Sequence, residues 1–298
     1  MADTLLLLDS YSLIYRAFYA IRSLTGPDGQ PVNAIYGLTK MLRKMIADHK
    51  PSYLAAVFDL GAPQKRLDLL PTYKAQRPPT PPDLDKQLPS IREILKAMRV
   101  PIVEMEGEEA DDIIGTLAVQ AARGGLDVLI ASNDKDFMQV VTPQVRLLRP
   151  DGKEAALVDP AGVKARYGVQ PEQIVDFLSL LGDSVDNIPG TPGVGEKTAA
   201  QLLQTYGSLD NLLVHVTDIA KPALRAALMA STQQLRANRQ LVALQTDLPL
   251  PVTMATLIIQ PPDPAALAAL YRRFGFKSLL AELEEPIPET GMDLFASK

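Results

Sequence analysis

The chain has 298 residues, of which 47% are hydrophobic, none is cysteine, and the net charge is -5. This composition predicts a folded globular protein of about two domains, and it excludes disulfide bonds and thiolate metal sites. No apolar run reaches the length of a membrane span and the first residues lack the basic start of a signal peptide, so we expect a cytoplasmic location.

The first half of the chain alternates strand-like and helix-like segments. Short apolar runs predict strands at 4–8, 53–58, 102–104, 127–131 and 145–148. Apolar residues at helical spacing predict helices at 36–49, 89–98 and 109–122. This alternation predicts an α/β fold with a mainly parallel central sheet flanked by helices.

From about residue 160 the strands largely disappear and helices dominate. Asp159 followed by Pro160 is a typical helix start, and 171–181 and 264–274 are further predicted helices. A glycine-punctuated turn at 188–198 leads into another helix. The segment 72–84 differs from both halves, since four prolines and exposed bases indicate a long functional loop or a disordered insert.

Nine carboxylates follow apolar runs or begin a helix. Such strand ends meet at one edge of an open α/β sheet, where ligands bind. Carboxylates gathered there cannot all ionise without cations, and oxygen ligands favour Mg²⁺ or Mn²⁺. Taken singly, each acid could instead be a helix cap or an Asx turn. The nine residues are Asp9, Asp59, Glu109, Asp111, Asp112, Asp134, Asp136, Asp183 and Asp186.

The carboxylates change how the net charge is interpreted. Setting these nine of the 35 acidic residues aside as cation-neutralised leaves 26 acids against 30 basic residues. Nucleic-acid binding is therefore compatible with the composition, because the distribution of charge matters more than its total. Lys74 and Arg77 in the proline-rich loop could hold and polarise a phosphate, or could simply be solvated.

The turn at 190–198 superficially resembles a phosphate-binding P-loop. The P-loop spacing is not met, because Glu196 separates Gly195 from Lys197. We favour a tight turn between two helices whose amides face a nucleic-acid phosphate, with a plain packing turn as the alternative. Its expected DNA-binding residues are Gly190, Gly193, Gly195, Lys197 and Thr198.

These motifs, in this order, resemble the 5′-nuclease (flap endonuclease) family, most closely its bacterial, polymerase-linked members. The resemblance runs from about Leu5 to Phe276 and rests on Leu8–Phe18, Val57–Asp59, Tyr73–Pro79, Glu109–Asp112, Asp134–Asp136 and Gly182–Gly190. Two departures are visible. Ser10 stands where glycine is common, and Asn133 replaces a usual glycine, which is a mild change because asparagine tolerates positive φ.

The resemblance implies a PIN-like catalytic domain at 1–168 with an arch region at 60–90, a helix-three-turn-helix DNA-binding domain at 169–285, and a mobile tail at 286–298. It implies two or more Mg²⁺ or Mn²⁺ ions, with Asp9, Asp59, Glu109, Asp111 and Asp112 as the tighter group and Asp134, Asp136, Asp183 and Asp186 as the second. A K⁺ ion is expected at the helix-three-turn-helix. Catalytic roles fall to Lys74, Arg77, Asp111 and Asp134, and further DNA contacts to Arg16, Arg66 and Tyr73.

The implied activity is a metal-dependent 5′-3′ exonuclease and flap endonuclease that hydrolyses DNA, and RNA primers, in replication and repair. A monomer at the nucleoid is expected. The peptide 291–295 is similar to a sliding-clamp motif, but Gly291 replaces its glutamine, so a chance apolar tail or a linker is an open alternative. The competing functions are a PIN-type ribonuclease and a non-catalytic, structure-specific DNA-binding module.

Overall fold

The computed structural model describes residues 3–150 and 156–284, and its centre is a six-stranded sheet. The strand order is β3-β2-β1-β4-β5-β6, and every neighbouring pair is parallel except β5 and β6. This confirms the predicted α/β fold with a mainly parallel sheet. The strands are β1 (Thr4–Asp9), β2 (Tyr53–Val57), β3 (Ile102–Val103), β4 (Asp127–Ala131), β5 (Val145–Arg149) and β6 (Ala156–Val158).

Helices fill the rest of the described chain, and none of those described is long and apolar enough to cross a membrane. Predicted helix 171–181 divides into a 3-10 turn at Pro171–Gln173 and a following α-helix. The helices are α1 (Ser10–Ala20), α2 (Asn33–His49), α3 (Gln64–Leu69), α4 (Pro82–Asp85), α5 (Leu88–Ala97), α6 (Ala110–Arg123), α7 (Pro160–Tyr167), α8 (Ile174–Leu181), α9 (Glu196–Tyr206), α10 (Leu209–Val214), α11 (Pro222–Ala230), α12 (Thr232–Val242), α13 (Pro264–Phe274) and α14 (Lys277–Glu284).

Strand β1 is buried on both faces, which explains its unbroken run of leucines. Successive side chains of a strand point to opposite faces. Leu5 and Leu7 therefore belong to one core with α6, and Leu6 and Leu8 to another with α1, α2 and α5. Parallel sheets covered on both faces have this sequence character, so the apolar run indicates a central strand.

The helices of the predicted domain 169–285 pack on both faces of the sheet. Helices α8, α9 and α12 share the core that contains α6. Residues of α13 and α14, including Leu267, Tyr271 and Leu279, instead join the opposite core beside α2 and α5. The last two helices thus stabilise the α/β half, although they follow the helical segment in sequence.

The strand order places a crevice at the carboxyl ends of β1 and β4. From β1 the chain passes to β2 and β3 on one side, and then returns to the other side of β1 with β4. Leu8 pairs with Ala56 of β2 and with Ala131 of β4, so the three strands end at about the same level. Ligands of open α/β sheets bind at such a switch point.

Candidate active site

Asp9 ends β1 and caps α1 at the same time. One carboxylate oxygen accepts a hydrogen bond from the Ser12 amide at 3.3 Å, and the other accepts from the Ser132 hydroxyl at 2.5 Å. The Ser132 hydroxyl also accepts from the Asp134 amide at 2.9 Å. The capping role that Asp9 suggested is therefore real, and it orients the carboxylate toward the loop after β4.

The first cavity, of about 360 Å³, brings together four of the predicted carboxylates from four different segments. Asp59 follows β2 and accepts a hydrogen bond from the Ala110 amide at 2.9 Å, so it fixes the start of α6. Asp111 lies in the first turn of that helix. The cavity is lined by Asp9, Tyr11, Ser12, Tyr15, Asp59, Lys74, Arg77, Pro78, Asp111, Asp134 and Val185.

The second cavity, of about 350 Å³, adjoins the first and shares Asp134 and Arg77 with it. It contains the other three carboxylates that the structure brings to this edge of the sheet, Asp136, Asp183 and Asp186. Several basic side chains face them. The remaining lining residues are Ser12, Asn133, Lys135, Met138, Arg149, Arg166, Tyr167 and Val185.

Burial and mutual repulsion keep several of these acids from ionising easily. Burial raises the pKa of Asp9 to about 7, and the neighbouring Asp134 and Asp59 add to the rise. Burial, with Asp134 as the next cause, raises the pKa of Asp111 and that of Asp136 well above their usual range. The pKa of Asp134 is raised by the same burial. Such a cluster favours a bound cation, which would stabilise all the ionised forms.

Glu109 and Asp112 line neither cavity, unlike the other seven predicted carboxylates. Asp112 is fully buried, and it accepts from two nitrogens of Arg66 at 2.5 and 2.9 Å and from the Gln245 amide at 2.8 Å. Glu109 accepts from Arg66, Lys74 and Tyr73. Asp112 thus lies outside both cavities with Arg66 as its ionic partner, and its role as a direct metal ligand stays a prediction.

Arg66 does not have the exposure that a DNA contact requires. The residue is 8% exposed, and besides the two acids it donates to the carbonyl oxygens of Leu241 and Ala243 at 3.0 and 3.3 Å. Its guanidinium thus joins α3, the start of α6 and the C-terminal end of α12 with the residue that follows it. In this structure Arg66 has a structural role, since the two buried acids need this cation as their partner.

The loop at 72–77 is ordered and is held against the segment 183–187. The Lys74 amide donates to the Asp186 carbonyl oxygen at 3.0 Å, and the Asn187 side chain donates to the Thr72 carbonyl oxygen at 2.8 Å. The alternative of a disordered insert is therefore wrong for these residues, and a functional loop stays the prediction. Lys74 has a φ of 56°, a left-handed conformation that is uncommon outside glycine.

The basic residues of this loop contact the carboxylates directly. Lys74 pairs with Glu109, and Arg77 donates to Asp186 at 2.6 Å. Tyr73, expected to contact DNA, is only 6% exposed and donates its hydroxyl to Asp186 at 3.0 Å. The ring is therefore not available for stacking on a base, whereas Lys74 and Arg77 line the first cavity.

The turn between α8 and α9 depends on glycine at two positions. A Cβ at Gly190 would lie 1.9 Å from the Leu181 carbonyl oxygen, and one at Gly182 would lie 2.3 Å from the Gly190 nitrogen. Helix α9 begins after Gly195, and no side chain caps it. Lys197 is exposed in the first turn. The free amides of an uncapped helix start and the nearby base fit a phosphate group.

The structure also brings residues to the site that sequence reasoning missed. Ser132 links Asp9 to Asp134, and Lys135 pairs with Asp183 at 2.9 Å. Arg166 lies on the rim of the second cavity and stacks over Tyr167 at 5.2 Å. Of these residues, only Lys135 stood out in the sequence, because it lies between Asp134 and Asp136. Arg16, expected to contact DNA, lies on α1 and lines neither cavity.

The residues of the two cavities fit divalent cations, although no three carboxylates or histidines of the described residues are close enough as they stand to enclose one ion. Lys74, Arg77 and Lys135 hold acids of the site in ion pairs. One oxygen of Asp136 is buried without any hydrogen-bond partner. An oxygen-only donor set with raised pKa values and an unpartnered carboxylate oxygen suits a hard cation.

Comparison with known proteins agrees with this architecture. Two family models match, "5′-3′ exonuclease, N-terminal resolvase-like domain" over residues 4–168 and "5′-3′ exonuclease, C-terminal SAM fold" over residues 169–265. DNA polymerase I of Bacillus caldotenax is 38% identical over 97% of this chain and 33% of its own length. The thermostable DNA polymerase I of Thermus thermophilus is 40% identical over 95% and 34%. The chain thus spans about a third of these relatives.

Solved structures show the same fold at lower sequence identity. The T5 5′-exonuclease with bound divalent zinc ions has a TM-score of 0.70 at 21% identity, covering 95% of this chain and 100% of that one. The catalytic core of Rad2 in complex with a DNA substrate has a TM-score of 0.64 at 15% identity, covering 95% and 92%. Since the first family model alone covers more than half of the sequence, this chain belongs to the 5′-3′ exonuclease family of nucleases.

Proposed function

We propose that this chain is a metal-dependent, structure-specific 5′-3′ exonuclease and flap endonuclease that hydrolyses phosphodiesters of DNA. The observation that carries the proposal is the convergence of seven carboxylates on two adjoining cavities, beneath a loop that presents Lys74 and Arg77. The carboxylates can hold divalent ions, and the two bases can hold a phosphate between them and those ions.

The first cavity would hold one divalent ion through Asp9, Asp59, Asp111 and Asp134. The second would hold another through Asp134, Asp136, Asp183 and Asp186. Mg²⁺ or Mn²⁺ is the proposed ion, because every donor is an oxygen. Such ions supply a water of lowered pKa and offset the charge that develops on a phosphate. Glu109 and Asp112 support the site from behind by holding Lys74 and Arg66.

Lys74 and Arg77 would contact the scissile phosphate. In this structure they pair with Glu109 and Asp186, which keeps them next to the carboxylates. An incoming phosphate offers them a second negative partner. Preorganised cations aimed at a phosphate stabilise the charge of the transition state without any rearrangement of solvent.

The turn at 190–198 would bind the backbone of duplex DNA at a distance from the cavities. Its exposed Lys197 and the uncapped start of α9 support this role. Contacts of this kind position a duplex and do not read its sequence. A K⁺ ion at this turn, and the division into a catalytic unit 1–168 and a DNA-binding unit from 169, are part of the same proposal.

The proposed substrates are DNA with a 5′ flap, a nick or a 5′ end, and RNA primers paired to DNA. Rad2 was solved with a DNA substrate, which supports a nucleic-acid ligand for this fold. Such substrates would be met at the nucleoid, which stays the predicted location, and a monomer stays the predicted state. The tail 286–298 and its clamp-like peptide 291–295 lie outside the described residues.

A fluorescent 5′-flap duplex tests the proposal. We expect cleavage near the flap junction with Mg²⁺, none with EDTA, and none for Asp111→Ala or Asp134→Ala, each of which should retain the fold by circular dichroism. Cleavage of single-stranded RNA in preference to the flap would favour the PIN-type ribonuclease. Tight flap binding without cleavage at any divalent ion concentration would favour the non-catalytic DNA-binding module.

A further inference from the structure

Asn133 lies on the wall of the second cavity, in the loop between β4 and the 3-10 turn at Asp136–Val140. Its backbone amide donates to the Ser12 hydroxyl at 3.3 Å, which fixes the residue beside the carboxylates. Its side-chain oxygen is buried and has no hydrogen-bond partner. A buried acceptor without a donor costs free energy, so this oxygen needs a partner from solvent or from a ligand.

The backbone does not explain why an asparagine stands at this position. Asparagine was expected to replace glycine because it tolerates positive φ. The residues outside glycine with positive φ in the described chain are Lys50, Lys74, Arg99 and Asn187, and Asn133 is not among them. The backbone here therefore suits any L-residue. What the asparagine adds is its side chain.

Basic side chains line the same cavity, and Arg77, which both cavities share, is committed to Asp186 at 2.6 Å. The neighbouring Asp136 has a buried oxygen that is also unpartnered. The Lys135 ammonium is committed to Asp183 at 2.9 Å. Asn133 and Asp136 thus each place an unpartnered oxygen on the wall of the second cavity. A single cation could contact both oxygens.

We propose that the side-chain oxygen of Asn133 is an additional, neutral ligand of the divalent cation that Asp134, Asp136 and Asp183 hold in the second cavity. This inference rests on the proposed function. Hard cations accept asparagine carbonyl oxygens alongside carboxylates. A neutral oxygen completes the coordination without adding to the repulsion among the acids, which a further carboxylate would increase.

Binding of Mn²⁺ to the protein without DNA, followed by electron paramagnetic resonance of the free ion, measures this directly. We expect Asn133→Ala and Asn133→Gly to weaken one class of Mn²⁺ site about tenfold, the lower end of the effect of removing a group that supports a metal. Asn133→Asp keeps an oxygen and should bind Mn²⁺ at least as tightly as the wild type. Asn211→Ala is the matched control, because Asn211 bonds only within the segment 206–215, outside the cavity.

A double-mutant cycle assigns the effect to the second cavity. In the Asp183→Ala background, which removes a ligand of that ion, the loss caused by Asn133→Ala should disappear, because the two side chains act on one ion. Unchanged Mn²⁺ affinity in Asn133→Ala and Asn133→Gly would overturn this inference and leave the proposed function standing. An equal loss of affinity in the Asp183→Ala background would do the same. A wild type that binds no Mn²⁺ would overturn the proposed function as well.

Discussion

Asp9→Asn should stabilise the metal-free protein above neutral pH while it disables the metal site. Burial and the nearby Asp134 and Asp59 raise the pKa of Asp9 from 3.8 to about 7. Because the folded-state pKa lies above the unfolded value, Asp9 contributes stability that is fully present below about pH 4 and is lost as the pH rises through about 7. At pH 8 the ionised carboxylate therefore works against folding.

The magnitude follows from the difference between the two pKa values. A difference of about 3 units at about 1.4 kcal/mol each corresponds to about 4 kcal/mol of lost stability at pH 8. Asparagine keeps the shape and caps helices well, so the hydrogen bond from the Ser12 amide can remain. It loses the hydrogen bond of the Ser132 hydroxyl to a charged oxygen, at a cost of about 1.5–2 kcal/mol. The expected net gain at pH 8 is about 2 kcal/mol.

Urea unfolding in EDTA at pH 8 and at pH 5 measures this gain. At pH 5 Asp9 is largely protonated in the folded state, so less than half of its cost remains, and the gain should fall to roughly zero. Adding Mg²⁺ at pH 8 should stabilise the wild type more than the variant, since only the wild type has the carboxylate. The same stability difference at both pH values would refute the reasoning.

Three further substitutions test the neighbouring roles. Lys74→Ala should lower the single-turnover cleavage rate about a hundredfold with little effect on duplex binding; an unchanged rate with weaker binding would reduce Lys74 to a tether. Lys197→Ala should weaken binding of two unrelated flap sequences equally in Ca²⁺ and lower the salt slope of log K by about 0.9, and loss on one sequence alone would contradict a phosphate contact. Arg66→Ala should destabilise the fold by about 3–5 kcal/mol, because it leaves Glu109 and Asp112 buried without their cation. Urea unfolding measures this loss, with Arg66→Lys as the control that keeps the charge and should lose less. Equal stability of wild type and Arg66→Ala would contradict the structural role.

Several features followed from the sequence because they depend on local patterns. The leucine run of β1 and the apolar runs of β2 and β4 indicated buried parallel strands, which the structure confirms. A parallel sheet brings the carboxyl ends of its strands to one edge, so acids after such runs could be expected to meet there. Helix α1 was not predicted, because it begins directly after β1 with no turn residues between Asp9 and Ser10.

Other features depended on contacts between distant parts of the chain. Asp111 and Asp112 are adjacent, yet one lines the first cavity and the other accepts from the amide of Gln245. Consecutive helical residues point about 100° apart, so the packing of α6 against the segment after α12 decides which acid faces the site.

Two basic residues near the start of the proline-rich loop, Arg66 before it and Arg77 within it, differ in the same way. Arg66 is buried among carbonyl oxygens contributed by residues 241 and 243, whereas Arg77 faces the cavities. Composition and spacing describe both as exposed basic residues near a loop. The packing of the end of α12 against α3 decides which of the two is buried, since Arg66 donates there to the Leu241 carbonyl oxygen. These residues are 175 apart in sequence, so the local pattern of neither segment could predict the contact.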